Sequence, residues 1–166
     1  MDGECIITDT ADNFECKCKT GVAGLKIRQD CAVDVAFKKR ASHSSQYGAA
    51  HAGLAVDGKR NTFTATWIDG DHWWKVDFGG VKVVDEMEVG VNMRPSGGDF
   101  ELLLSNTTGF DTQKACHKIK NTHNGKRSFA FKCFGGKIAA RFLKITHSNA
   151  EYALEISHVE VMGWDV

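Results

Sequence analysis

Very little in this sequence breaks the chain or drives it into lipid. Its 166 residues contain a single proline, Pro95. It stands in Arg94-Pro-Ser-Gly-Gly98, a turn between two strands, because proline cannot donate to a central ladder. No segment approaches the ~20 consecutive apolar residues of a membrane-crossing helix, so no transmembrane segment is expected. An excess of one charge is missing as well: Lys plus Arg and Asp plus Glu both count 21, for a formal net charge of zero. A general nucleic-acid binder needs basic excess to displace counterions from phosphates, so nucleic acid is not an expected partner. The local basic run from Lys114 to Arg127 reads as a solvated loop. Catalytic signatures are absent too. Histidines 43, 51, 72, 117, 123, 147 and 158 are scattered, with no Gly-x-Ser-x-Gly, His-Glu-x-x-His or paired carboxylates, and an enzyme is not expected. Heptads, internal repeats and low-complexity tracts are likewise missing.

Cysteine, by contrast, is plentiful for the length. Cys5, Cys16, Cys18 and Cys31 cluster at the N-terminus, and Cys116 and Cys133 follow as a later pair. An even set of this kind points to three disulfides and an oxidising compartment. The rival, a zinc site around Cys16-Lys-Cys18, fits less well, since structural zinc sites space paired cysteines by two to four residues. The sequon Asn106-Thr-Thr108 follows a strand-like segment and marks Asn106 as a glycosylation candidate. The opening MDGECIITDT lacks the charged start and apolar core of a signal peptide. The expectation is a secreted protein in a mature form whose signal has been removed.

Residues 1–32 are poor in apolar residues and need cross-links to hold a fold. From residue 33 to 166 helical periodicity is hard to find. Short runs of β-formers recur between turn signals: Val35–Phe37, Thr62–Trp67, Trp73–Phe78, Val81–Val91, Phe100–Leu104, Ser128–Phe134, Ala140–Thr146 and Ile156–Met162. Their spacing predicts an all-β sandwich or barrel. Phe142-Leu-Lys-Ile and His158-Val-Glu-Val alternate as strands with one buried and one wet face. The central stretch runs from Leu54 to Val81 and holds three of the four tryptophans. Asp57-Gly58 and Asp69-Gly70-Asp71 make turns, and Gly79-Gly80 is expected to stop the Trp73–Phe78 strand. Of Trp73 and Trp74, alternation sends one into the core and one outward.

Several motifs carry a family resemblance. Lys39-Arg-Ala-Ser-His-Ser-Ser-Gln-Tyr47, Ala55-Val-Asp-Gly-Lys-Arg-Asn61, Trp73-Trp-Lys-Val-Asp-Phe-Gly79 and Ile156-Ser-His-Val-Glu-Val161 fall in the order found in discoidin-type domains. The double-tryptophan strand is particularly similar to that of F-type lectins (fucolectins), and Cys116 and Cys133 fall where that family has a pair. The resemblance covers roughly residues 33 to 164 and implies a jelly-roll, galactose-binding-like β-sandwich with ligand loops at one end. The first 32 residues, with Gly21 and Gly24 before Cys31, resemble the C-terminal half of an EGF-like module. That resemblance would pair Cys5 with Cys16 and Cys18 with Cys31, although the spacing alone leaves three connectivities open. A full module has two further cysteines upstream, so the half-module is truncated or a reduced variant.

F-type lectins bind fucosylated glycans through one histidine and two arginines. Here the histidine position falls at Ala65, the first arginine at Arg94, and the second near Ser96 or Gly97, where no cation stands. The site is therefore a degenerate one, and the glycan is expected to be atypical. Replacement candidates are His72, Asp69, Asp71 and Trp67, because hydroxyl-accepting carboxylates beside an aromatic face suit a saccharide. The resemblance also implies calcium, held by backbone carbonyls at Leu54 and Lys59, by Asp57, and by the closing strand. In that strand the family's carboxylate falls at His158, so Glu155 or Glu160 would have to take over. Glu160 shares the face of His158, and Ser157 and Glu160 are the candidates. A second reading is a non-lectin interaction or signalling protein whose sandwich binds a receptor, matrix or membrane surface. Its apolar loop candidates are Ile68 and Met93.

Overall fold

The computed structural model describes residues 32–68, 70–93, 98–120, 125–149 and 151–166, and the backbone of 4–10 and 13–19. Twelve segments carry the regular structure: strands β1 (Glu4–Thr10), β2 (Asn13–Lys19), β3 (Val33–Asp34) and β4 (Arg40–His43), a 3-10 helix (Ala52–Val56), then β5 (Thr64–Ala65), β6 (His72–Met93), β7 (Phe100–Ser105), β8 (Lys114–Ile119), β9 (Gly125–Lys132), β10 (Ile138–His147) and β11 (Glu155–Asp165). Among the described residues β1 and β2 pair with each other, placing Cys5 opposite Cys18 and Ile7 opposite Cys16. The other nine strands, all antiparallel, form the sandwich.

β6 organises the sandwich. On one side it pairs first with β4, through residues 74–77, and then with β11, through 82–91. On the other it pairs with β10 from His72 to Val84 and then with β9 from Glu86 to Met93. The expected stop at Gly79-Gly80 does not occur. Gly79 adopts φ +86°, open to glycine at no steric cost, and the ladder with β10 shifts register between Ala140 and Phe142. The glycines bend one 22-residue strand rather than ending it.

Burial alternates along the strands as anticipated. Trp74, Val76 and Phe78 are fully buried, as are Leu102, Leu143 and Ile145 from the neighbouring strands. Each such side chain contributes roughly 1.5–3 kcal/mol. Trp74 is anchored further by its indole N–H, which donates to the Ala52 carbonyl at 2.9 Å. Trp73 lies on the opposite face, half-buried. The Cys116–Cys133 disulfide joins β8 to the end of β9.

Three local expectations need correction. Val35–Phe37 is a turn, because Asp34 Oδ1 accepts from the Ala36 N–H and from the Val161 N–H, both at 3.0 Å, and so curls the chain against β11. The Thr62–Trp67 strand shrinks to Thr64–Ala65. The basic run read as a loop contains two strands: Lys114–Ile119 pairs with β7 and buries Cys116 and Ile119, and β9 begins at Gly125. The EGF-like reading and its cysteine pairing concern side chains and segments outside the described residues.

Candidate functional site

The loops at the β5 end of the sandwich are held by backbone bonds on both sides. Tyr47 N–H donates to the Ala65 carbonyl at 2.9 Å, and Trp67 N–H donates to Ser45 Oγ at 3.0 Å. From the other side, Thr66 N–H reaches the Leu154 carbonyl, and Leu154 N–H returns to Thr66 Oγ1 at 2.9 Å. With the backbone so fixed, large side chains project into solvent. Tyr47, Phe63, Trp67 and Ile68 are 54, 41, 52 and 55% exposed. Tyr47 and Trp67 meet edge to face with centroids 4.8 Å apart. Such exposure of several large apolar groups together marks a contact surface.

Between these rings lie two adjoining cavities that share Tyr47 and Phe63. One, of about 430 Å³, is walled by Trp67, Ile68 and Thr66 with Glu155 as its carboxylate. The other, of about 350 Å³, extends over Ala50, Leu54 and Asn61. Glu155 Oε2 accepts from Asn92 Nδ2, which orients the carboxylate, and Lys126 Nζ lies 5.6 Å from the Phe63 ring. Apolar rings with a few fixed polar groups give a saccharide C–H faces to stack on and hydroxyl partners.

Of the predicted ligand residues that are described, Trp67 stands in this cleft. Asp71 is exposed just before β6. His72 is 3% exposed and its Nδ1 is 3.0 Å from Thr66 Oγ1. It is the first residue of β6 and packs under the loop, so it is not a surface donor. Asp69, Arg94 and the Met93 side chain lie outside the described residues. Tyr47, Phe63 and Glu155 were not among the sugar-binding candidates. The available signal was an aromatic flanked by polar residues in a turn-rich stretch, as in Thr62-Phe-Thr64.

Next to the cleft, the Asp57-Gly58 turn gathers oxygens. Asp57 Oδ1 accepts from the Lys59 N–H at 2.8 Å, and Gly58 has φ +81° with the Phe37 ring packed where a Cβ would stand. Thr62 Oγ1 lies 3.4 Å from Leu54 O, 3.1 and 3.0 Å from the Asp57 carboxylate oxygens, and 3.5 Å from Lys59 O. One hydroxyl proton serves one of these acceptors, so the cluster is rich in lone pairs. Its donor set of carbonyls, one carboxylate and one hydroxyl fits a hard cation such as calcium. Among the described residues no three His, Cys, Asp or Glu side chains are grouped to hold a metal, so carbonyls would supply most of the ligation.

The closing-strand candidates are engaged elsewhere. Arg60 donates two hydrogen bonds to Glu88, at 2.6 and 2.7 Å, and a third to Glu160 at 3.0 Å. Arg60 Nη1 also lies 3.2 Å from His158 Nε2, while Ser157 Oγ is 3.1 Å from His158 Nδ1. Arginine is always a donor, so Nε2 accepts and Nδ1–H faces Ser157. The Arg60 bonds hold the Glu88 carboxyl down at about 2. Burial, and then the Arg60 charge, lower His158 below its ordinary value. Arg60 thus bonds the Glu160 side chain directly, and Ser157 joins the same cluster through His158.

The nine-stranded antiparallel sandwich is of the galactose-binding, discoidin-like class. The chain belongs to the NedA-like, galactose-binding domain family, whose model matches residues 54–145, more than half of its length. Solved structures agree on the fold. An F-lectin (fucolectin) from striped bass (Morone saxatilis) serum superposes with a TM-score of 0.69 at 23% identity, covering 80% of this chain. This chain spans 48%, about half, of that lectin's length. A chitosan-binding module of a chitosanase/glucanase from Paenibacillus sp. IK-5 gives 0.65 at 19% identity, covering 78% of this chain and 98% of its own. A mutant lectin-binding domain of lectinolysin, complexed with Lewis b, gives 0.62 at 25%, covering 80% and 96%. Among curated protein sequences, none matches the chain.

Proposed function

We propose that this chain is a non-enzymatic, secreted recognition module that binds a glycan in the cleft of Tyr47, Phe63, Trp67 and Glu155. One observation carries the reading: three half-exposed aromatic rings surround an oriented carboxylate on backbone that is hydrogen-bonded from both sides. Such preorganisation lowers the ordering cost of binding. The similar lectin and chitosan-binding structures take different sugars, which agrees with a scaffold whose specificity lies in loop side chains. With Ala65 at the family's histidine position, and buried, the site reads its ligand by stacking more than by cationic donors. Calcium belongs to the proposal as a stabiliser of the neighbouring loop, held by Leu54 O, Asp57, Lys59 O and Thr62 Oγ1. Secretion is supported by the Cys116–Cys133 disulfide and by the exposed position of Asn106 after β7, open to glycosylation.

The half-exposed Ile68 next to Trp67 favours one alternative, an apolar loop tip that docks on a protein receptor or membrane surface. A glycan array probed with the chain and with Trp67→Ala, with and without calcium, separates the two. Saturable binding to defined saccharides that the substitution removes is the expected outcome. No saccharide bound at high protein density, with Ile68-dependent retention on vesicles or matrix, would establish the alternative.

A further inference from the structure

A second cluster lies away from the cleft, on the outer face of the sheet built from β4, β6 and β10. Lys75 of β6 sits directly opposite Lys144 of β10, and Ser42 of β4 flanks Lys75 on its other side. Their chain neighbours Trp74 and Ile145 are fully buried, so both lysines belong to the outward face. Like charges directly opposite each other destabilise an antiparallel pair. Among the described residues no carboxylate lies within ion-pair distance of either lysine. Both ammonium groups instead approach one ring: Trp73 lies 5.6 Å from Lys75 Nζ and 5.8 Å from Lys144 Nζ.

One register step along, Arg40 sits opposite Asp77. Asp77 is already neutralised by Arg141, which donates to it twice at 2.9 Å. Arg40 therefore shares one carboxylate with Arg141. Lys75 and Lys144 add positive charge with no carboxylate partner among the described residues, on a chain whose net charge is zero. A cavity of about 270 Å³ opens among Arg40, Ser42, Lys75, Asp77, Thr108 and Phe142. Its lining has two hydroxyls, the cations Arg40 and Lys75 and the Asp77 carboxylate already bonded by Arg141, with the Trp73 face beside Lys75, a set that suits a sugar ring bearing an anion.

We infer that this face is a second binding site, for an anionic polysaccharide whose sulfate or uronate groups lie between Lys75, Lys144 and Arg40. Charge complementarity singles out a polyanion. A lipid surface fits less well, because no half-exposed large hydrophobe lines this cavity. Duplex nucleic acid calls for a basic stripe that a neutral chain does not supply.

The test is surface plasmon resonance of the intact chain against heparin oligosaccharides, hyaluronan oligosaccharides, phosphatidylserine vesicles and duplex DNA. Expected is saturable, salt-sensitive binding to one or both polysaccharides, heparin reporting sulfate and hyaluronan reporting carboxylate. Lys75→Gln with Lys144→Gln should weaken it roughly tenfold or more. Removal of the same charge elsewhere, by Lys114→Gln with Lys120→Gln, should leave it unchanged. The inference is overturned if neither polysaccharide binds, if the control pair weakens binding equally, or if vesicles or DNA bind as tightly through the same lysines. Melting temperatures of the variants confirm that they fold.

Discussion

Trp67 and Tyr47 stand edge to face, 4.8 Å between centroids, with both rings half in solvent and neither needed to fill the core. Trp74 is the opposite case, fully buried with its indole N–H on Ala52 O. Trp74→Ala should cost about 3–5 kcal/mol through lost burial and a cavity. Trp67→Ala should stay within about 0.5 kcal/mol of the unmodified chain. Urea denaturation of the two variants measures the difference. A comparable loss in both would assign Trp67 to the core rather than to a binding surface.

Acid should destabilise the fold in two steps of the same sign. His158 is held below its ordinary 6.5, by burial first and the Arg60 charge second. As pH falls through 6.5 the unfolded chain therefore takes up a proton before the folded one, and stability drops. Glu88 is held at about 2 by the Arg60 bonds, against 4.5 unperturbed. Its contribution is present above 4.5 and is lost as pH falls toward about 2. The Glu88 step should be about 1 kcal/mol, discounted for the partial exposure of its ion pair with Arg60. Melting temperature followed against pH should flatten in its upper range with His158→Gln and in its lower range with Glu88→Gln. Unchanged profiles would remove the Arg60 cluster from the stability account.

Calcium should raise the melting temperature, because a ligand bound by the folded state alone stabilises it, by about 2.7 kcal/mol at a hundredfold excess over Kd. Asp57→Asn should abolish the response, and Thr62→Val should weaken it. A melting temperature indifferent to millimolar calcium and to a chelator would leave Asp57 as a turn residue bonded to Thr62.

Lys144→Glu should stabilise the sheet, since it turns a like-charge cross-strand pair into an opposite-charge pair, a gain of roughly 0.2–1 kcal/mol. The same variant should lose polysaccharide binding. Stability that falls instead would mean that Lys144 is held by structural contacts and not by function.

Local chemistry made much of the fold legible in the sequence. Alternation around Val159 and Ile145 marked their strands, and Asp57-Gly58 marked its turn. What escaped depends on register and on contacts between distant residues. Gly79-Gly80 has the composition of a stop, yet partners on both sides carry β6 through the bend. His72 follows a turn and reads as loop until Thr66 closes over it. Tyr47, Phe63 and Trp67 share no periodicity; backbone bonds such as Tyr47 N–H to Ala65 O bring them together. Lys75 and Lys144 become neighbours only through the β6–β10 register.

The central claim, glycan binding in the Trp67 cleft, is most directly tested by the indole N–H resonances of the four tryptophans during titration with the best oligosaccharide from the array. The Trp67 resonance should move in proportion to saturation while that of buried Trp74 stays fixed, and Trp73 should respond only to an anionic polysaccharide. Saturable binding of a neutral oligosaccharide with Trp67 unmoved would contradict the assignment.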